Sequence, residues 1–241
     1  MVRLAARQVR NQPPKQHSSP AGAPDTIRHK LLVPEGLRIF SGIHDHLLAR
    51  VGAESCRAVL VCSVNSGEGT TFVAAGLAIA AAAKGGGPVL LIDGNVHSPK
   101  VCEVFSVTEH TGLGNLLAMS GETIAIVRQT PVTNLSVMGV GVLPNDYILA
   151  LQSRKLHSLL EKWAATYQFI VVDGPAICPH PESLFYAPQV DRVLLVVRAG
   201  KTRAPVAAKA LAQLAAVGCD RIELILNRRT LVLPPALYEK L

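Results

Sequence analysis

The stretch "CSVNSGEGTTF", Cys62 to Phe72, decides the fold. It follows an apolar, β-rich run, "RAVLVCSV" (57–64), and leads into a helical one, "FVAAGLAIAAAA" (72–83). Gly67 and Gly69 crowd the turn, and Thr70 and Thr71 open the helix. A strand, a Gly-rich turn and a helix are what a phosphate-binding loop requires. Small residues let backbone N–H groups approach phosphate oxygens, and the helix N-terminus adds a partial positive charge. Ser66, Gly67, Glu68, Gly69, Thr70, Thr71 and Phe72 are the expected lining, with the Thr71 hydroxyl placed for Mg²⁺. In isolation a purely structural turn would read the same way, so the decision passes to the segments around it.

Outward from the loop, the pattern alternates. Apolar runs recur at "PVLLID" (88–93), "LSVMGV" (135–140), "FIVVDG" (169–174), "DRVLLVVRAG" (191–200) and "IELILN" (222–227). Helical segments are expected over about 71–84, 112–119, 150–166 and 204–217, after a first helix over about 35–50. Continuous apolar strands separated by helices predict an α/β fold, a single parallel-rich sheet with helices on both faces. The hydrophobic content of 49% with only 4% aromatics fits a core of Ala, Val, Leu and Ile. At 241 residues, one substantial domain with short appendages is expected: a flexible basic arm over 1–33, the domain over 34–229 and a short tail over 230–241.

Two acidic residues close apolar strands, Asp93 in "VLLIDGNVHSP" (89–99) and Asp173 in "FIVVDGPA" (169–176). Acids at the carboxyl ends of parallel strands face the crevice where ligands bind. One can polarise a water or position a nucleophile, and the other can hold a metal water. Either alone could merely cap a turn. Joined to a Gly-rich loop they point to phosphate chemistry, with Asp93 the candidate catalytic acid and Thr71, Asp93 and Asp173 the candidate Mg²⁺ ligands.

The net charge of +7 is unevenly placed, since Arg3, Arg7, Arg10, Lys15, Arg28 and Lys30 stand against only Asp25 in residues 1–30. The body is therefore near neutral, with neither a basic stripe nor interleaved aromatics, which argues against a specific nucleic-acid partner. The arm is read as solvated, a weak membrane-surface helix being the alternative. Five cysteines without a C-x-x-C pair read as reduced, buried thiols of a cytoplasmic protein. No apolar run is long enough to span a bilayer, and no transition-metal site is expected. His44 and His46, two apart on a helix, point to different faces. "CPHPE" (178–182) reads as a rigid turn around a buried Cys178, because no second ligand group has matching spacing.

Together these motifs resemble the cytoplasmic kinase domain of the bacterial tyrosine kinases that regulate capsule and exopolysaccharide synthesis, relatives of the MinD/ParA P-loop ATPases. The similarity runs from about Glu35 to Arg229. "NSGEGTTF" resembles the family's Walker A loop and "LLIDGNVHSPKVCEVF" its L-L-I-D-x-D-x-R-x-P motif. "TGLGNLLA" resembles a G-L-S-D-x-L segment and "FIVVDGPA" a Walker B run ending D-x-P-P. "DRVLLVVRAGKT" and "ELILNR" resemble the two late strands, and the second implies that Asn227 faces the base. "EGLR" resembles the helix motif used for ring assembly, implying interface roles for Glu35 and Arg38, with Ser41 in place of its last Arg. The resemblance implies ATP or ADP with Mg²⁺ as ligands and a transmembrane polysaccharide co-polymerase or chain-length regulator as partner. It further implies a homo-oligomer and a cytoplasmic location, peripheral at the inner membrane through that partner.

Several positions depart from the family pattern. Thr70 stands where the Walker lysine is expected, Val64 where its first Gly is, and Asn65 where MinD/ParA proteins carry a signature lysine. Asn95 and His97 replace the second Asp and the Arg of the D-x-D-x-R motif, and Ala176 replaces the second Pro. Tyr238 is the only tyrosine after Tyr186, so the C-terminal tyrosine cluster is missing. An ion pair at about 4 Å and an effective dielectric of ~20 interacts by roughly 4 kcal/mol. Lost wholly from a transition state, that costs on the order of a thousandfold in rate. The expected function is a catalytically impaired, kinase-like regulatory protein that keeps a nucleotide cradle. The alternative is an active ATP-dependent tyrosine kinase or ATPase whose missing cation comes from a partner, or from Lys100 or Lys201.

Overall fold

Each central strand of the protein alternates two sets of apolar side chains, and each set finds its own helical layer. In the computed structural model, which describes residues 34–49, 57–108, 110–118 and 126–229, seven strands form one sheet. They are β1 (Ala58–Ser63), β2 (Val89–Asp93), β3 (Arg128–Gln129), β4 (Leu135–Met138), β5 (Phe169–Ala176), β6 (Arg192–Arg198) and β7 (Ile222–Asn227), in the order β3-β4-β2-β5-β1-β6-β7. All neighbours pair in parallel except the short β3, which runs antiparallel to β4.

The helices are α1 (Pro34–Ala49), α2 (Thr70–Ala83), α3 (Val101–Val104), α4 (Leu113–Ala118), α5 (Tyr147–Gln152), α6 (Lys155–Trp163), α7 (Glu182–Tyr186) and α8 (Ala204–Ala216). Val59, Val61, Leu91, Val171 and Leu194 pack with Phe40 and Leu47 of α1 and the alanine-rich α2. Leu60, Cys62, Ile92, Val172 and Leu195 pack with Leu151, Leu160, Tyr186 and Leu214 from α5 to α8. Burial on both faces explains why these strands read as unbroken apolar runs. The expected three-layer architecture is present.

α2 is hydrophobic around its circumference because both α1 and the sheet cover it, leaving Val73 to Ala82 buried. Gly76 sits inside this helix for a steric reason: a Cβ there would lie 2.3 Å from the Phe40 ring. Phe40 also meets Phe72 edge-on, with centroids 5.7 Å apart. α1 thus lies along the helix that follows the Gly-rich loop, from Phe72 and Gly76 to Lys84 at its C-terminal end, which bonds Ser41 O and Asp45.

Two expectations need correcting. The segment over 150–166 is two helices, α5 and α6, divided at Arg154, whose φ of 58° is left-handed. Ser153 assists the break by donating its hydroxyl to Ala150 O at 2.7 Å, a local bond that competes with helix continuation. Cys178 is exposed rather than buried, while Cys62 and Cys219 are buried and Cys102 is half-buried. The run after β5 turns outward at Cys178, so its apolar neighbours do not carry it into the core. The basic arm, the C-terminal tail and Tyr238 lie outside the described residues. No helix among the described residues is long and apolar enough to cross a membrane.

Candidate nucleotide-binding site

β2, β5 and β1 lie side by side in parallel, so the segments leaving their carboxyl ends share one edge of the sheet. The Ser66–Thr71 loop leaves β1, Asp93 ends β2, and Asp173 lies in register with both Asp93 and Val61. On the other side, β6 and β7 bring Thr202 and Asn227 to the same edge. The sequence-predicted residues of the loop and the strand ends therefore converge on one edge of the sheet.

The loop has the backbone that its glycines suggest. Gly67 and Gly69 adopt φ values of 79° and 98°, a region costly to residues with a Cβ. Gly69 immediately precedes α2, and the N–H groups of the helix's first turn have no carbonyl within the helix to bond. Ser66 and Gly67 are exposed, and Thr70, Thr71 and Phe72 half-exposed. Glu68 faces the other way, only 4% exposed. Its carboxylate accepts the Val64 and Asn65 N–H groups, both at 3.0 Å, and bonds Asn65 Nδ2 and the Thr202 hydroxyl. The Glu68 side chain holds the loop's shape and leaves only its backbone for a ligand.

Asn227 donates Nδ2 to Glu68 O at 2.8 Å and accepts the Arg228 N–H through Oδ1. A Cβ on Gly69 would lie 2.3 Å from that Nδ2, so Gly69 also makes room for Asn227. The amide that the resemblance sets facing a base also ties down the Gly-rich loop. Phe72 packs against Phe40, which directs its ring toward α1.

Asp93 is 1% exposed, and its carboxylate accepts N–H bonds from Asn95, Lys100 and Val101 at 3.1, 2.8 and 2.9 Å. It shapes the loop that leads from β2 into α3. Asp173 is fully buried, and neither carboxylate oxygen has a hydrogen-bond partner among the described residues. Burial first, and the Asp93 charge second, push its carboxyl well above the usual range, opposed by the Thr71 hydroxyl, which lies nearby without meeting hydrogen-bond geometry. An orphaned, buried carboxylate beside an acid and a threonine hydroxyl fits a hard divalent cation such as Mg²⁺. The residues present are compatible with that ion, with Asp173 the freest donor. The lysine position holds Thr70, and Lys100 and Lys201 are both exposed.

Glu35 and Arg38 lie exposed on α1. His44 is buried with its ring edge-on to Phe169 at 5.0 Å, whereas the His46 side chain is exposed, so the two histidines do face apart. The "CPHPE" turn has a neighbour that sequence spacing did not reveal. His97, on the loop after β2, bonds Glu182 Oε1 through Nε2 at 2.7 Å and stacks on His180 with ring centroids 3.5 Å apart. The signal lies in the register: Asp93 and Asp173 are paired, so short loops leaving them must meet.

No protein-family model matches the chain. Among known proteins it is similar to the putative tyrosine-protein kinase CapB of Staphylococcus aureus, 26% identical over 189 residues, covering 78% of this chain and 82% of that protein. It is also similar to the tyrosine-protein kinase YwqD of Bacillus subtilis, 29% identical over 175 residues and 73% of each. Among solved structures, the VpsO kinase domain superposes with a TM-score of 0.70 at 28% identity, over 86% of this chain and 97% of that one. The septum site-determining protein MinD of Pyrococcus horikoshii, complexed with Mg-ADP, has a TM-score of 0.59 at 20% identity, over 77% and 76% of the two chains, which speaks to the fold alone. The relatives are bacterial tyrosine kinases, and the fold is shared with MinD/ParA P-loop ATPases.

Proposed function

We propose that the protein is a catalytically impaired, tyrosine-kinase-like regulator of capsule or exopolysaccharide synthesis that still binds ADP or ATP with Mg²⁺. One observation carries the reading. The cradle is retained around a neutral residue: left-handed Gly67 and Gly69 and the orphaned Asp173 surround the start of α2, where Thr70 supplies no charge. Phosphate oxygens would take the backbone N–H groups of 67–71, and Thr71, Asp93 and Asp173 would hold the Mg²⁺. That ion would neutralise phosphate charge when bound.

The chain's own residues then account for binding better than for transfer. The loop N–H groups and the helix N-terminus attract an anion without a side-chain cation. Asp93 has its carboxylate committed to three backbone N–H groups, which occupy the lone pairs that a general base would offer a substrate hydroxyl. Occupancy would bias the conformation presented to a partner. The partner class is a transmembrane polysaccharide co-polymerase, and the location is cytoplasmic at the inner membrane. Glu35 and Arg38 would serve contacts between copies. The kinase names of the relatives support the pathway, and the Mg-ADP bound by the MinD neighbour supports the ligand.

Calorimetric titration with Mg-ADP and Mg-ATP, repeated on Thr70→Lys, tests this. The expected result is binding by the native protein without phosphate release, and tighter binding by the lysine variant. Steady phosphate release or tyrosine phosphorylation by the native protein would favour an active kinase instead. Absence of binding by both forms would leave an adaptor without a ligand.

A further inference from the structure

We propose that His97, His180 and Glu182 are the three protein ligands of a zinc site on the rim of the crevice. The three side chains offer one ligand atom each, and these atoms all lie within 4.8 Å of one another. Donors around a tetrahedral zinc, at 2.0–2.2 Å from it, stand roughly 3.4 Å apart, so closing the set takes rotation of the His97 and His180 rings out of their stack. Two imidazoles and a carboxylate suit zinc and its neighbours in the first transition row better than Mg²⁺ or Ca²⁺, which favour all-oxygen shells. Three protein ligands leave a fourth position for water or an anion.

A second observation points the same way. Glu182 is 7% exposed, and its Oε2 is buried without a hydrogen-bond partner. A buried carboxylate oxygen left unpaired is costly unless a cation or donor joins it. Zinc would supply that partner. It would replace the proton held between His97 Nε2 and Glu182 Oε1, which passes to the other ring nitrogen or to solvent.

The backbone around the cluster is prepared for the task. His180 lies between Pro179 and Pro181, which restrict φ on both sides of it. Glu182 opens α7, and Ser183 anchors that turn by donating its hydroxyl to Pro175 O at 2.6 Å. His97 arrives four residues after Asp93 on a loop that the Asp93 carboxylate itself organises. A metal at this point would tie the loop after β2 to the loop after β5, clamping the two segments that follow Asp93 and Asp173. The site therefore reads as a metal-operated clamp on the crevice, and it departs from the expectation of no transition metal. It does not depend on nucleotide binding.

The test uses the full chain in chelator-free buffer, titrated with ZnCl₂ by calorimetry and with CoCl₂ by visible absorption. One equivalent of each metal is expected, with Co²⁺ giving the intense ligand-field bands of a tetrahedral site. His97→Gln, His180→Gln and Glu182→Gln should each weaken binding by at least the ~10- to 100-fold that even outer-sphere partners carry. His97 is exposed, so its variant keeps the fold, and circular dichroism checks the other two. Failure of the folded native chain to bind zinc overturns the proposal. So does undiminished binding by the His97→Gln/His180→Gln double variant, which would assign the metal to other side chains.

Discussion

Asp93 and Asp173 are register partners at the ends of β2 and β5, yet their carboxylates live in opposite circumstances. The first accepts three backbone N–H bonds, and the second accepts none among the described residues. The same strand-end position thus serves two purposes. Asp93 shapes a loop, and Asp173 keeps both oxygens unpaired among the described residues.

Asp173→Asn should raise the stability of the metal-free protein. The carboxyl is held well above its usual range by burial and then by Asp93. A folded value raised above the unfolded one means stability present below the unfolded pKa and lost as pH rises through the folded one. At neutral pH the native carboxyl carries that cost, and a neutral amide does not. A gain of about 1 kcal/mol, roughly 2–4 °C in a domain of this size, is expected. The slope of Tm against pH above about 4 should flatten, and any Mg²⁺-dependent rise in Tm should vanish. Melting curves from pH 4 to 8 with and without Mg²⁺ measure all three.

Asp93→Ala should do the reverse in the metal-free protein. It strands the N–H groups of Asn95, Lys100 and Val101, the last in a fully buried residue. Each unsatisfied buried donor costs about 1–3 kcal/mol, less where water can enter. A net loss of about 2–4 kcal/mol is expected from denaturant titration, with Asp93→Asn intermediate because it keeps one acceptor oxygen. A drop no larger than that of an ordinary surface substitution would mean that the loop after β2 is not organised by this carboxylate.

Sheet and layers were legible because β2, β5 and β6 are apolar runs closed by Asp or Gly, and because "SGEGTT" after β1 is short and local. Other features were not, for identifiable reasons. The break at Arg154 depends on one left-handed residue that carries no Gly or Asn signal. Glu68 reads like a loop residue open to ligand, but its acceptors are matched by the Val64 and Asn65 N–H groups and by Thr202, 134 positions away. The His97–Glu182 contact joins residues 85 apart, and only strand register brings them together.

Gly76→Ala offers a sign test between helix propensity and packing. Inside an α-helix, alanine is favoured over glycine by about 1 kcal/mol. Here the new methyl would lie 2.3–2.5 Å from three atoms of the Phe40 ring, so α1 or the ring must move. Overpacking of this kind costs about 1–3 kcal/mol. Net destabilisation is expected, and Phe40→Leu in the same chain should recover part of it, giving a favourable coupling in the double-mutant cycle. Simple additivity would place Phe40 elsewhere than over Gly76.

His44 should make the protein acid-sensitive in a narrow window. Burial first, and the nearby Lys84 charge second, hold its imidazole below the ordinary 6.5, while Asp45 opposes them. Its Nδ1 is buried without a hydrogen-bond partner among the described residues, and its ring faces Phe169 edge-on, so the neutral form is the one the site accepts. With the folded pKa lowered, the unfolded chain binds the extra proton first as pH falls. Stability is therefore complete above about 6.5 and declines below it, until the folded form also protonates. His44→Leu removes the titrating group while keeping an apolar side chain against Phe169. The variant's stability should fall less than the native protein's between pH 6.5 and 5, measured by urea titration at each pH. Parallel pH profiles for the two proteins would assign the acid sensitivity to other groups and leave His44 as a packing residue alone.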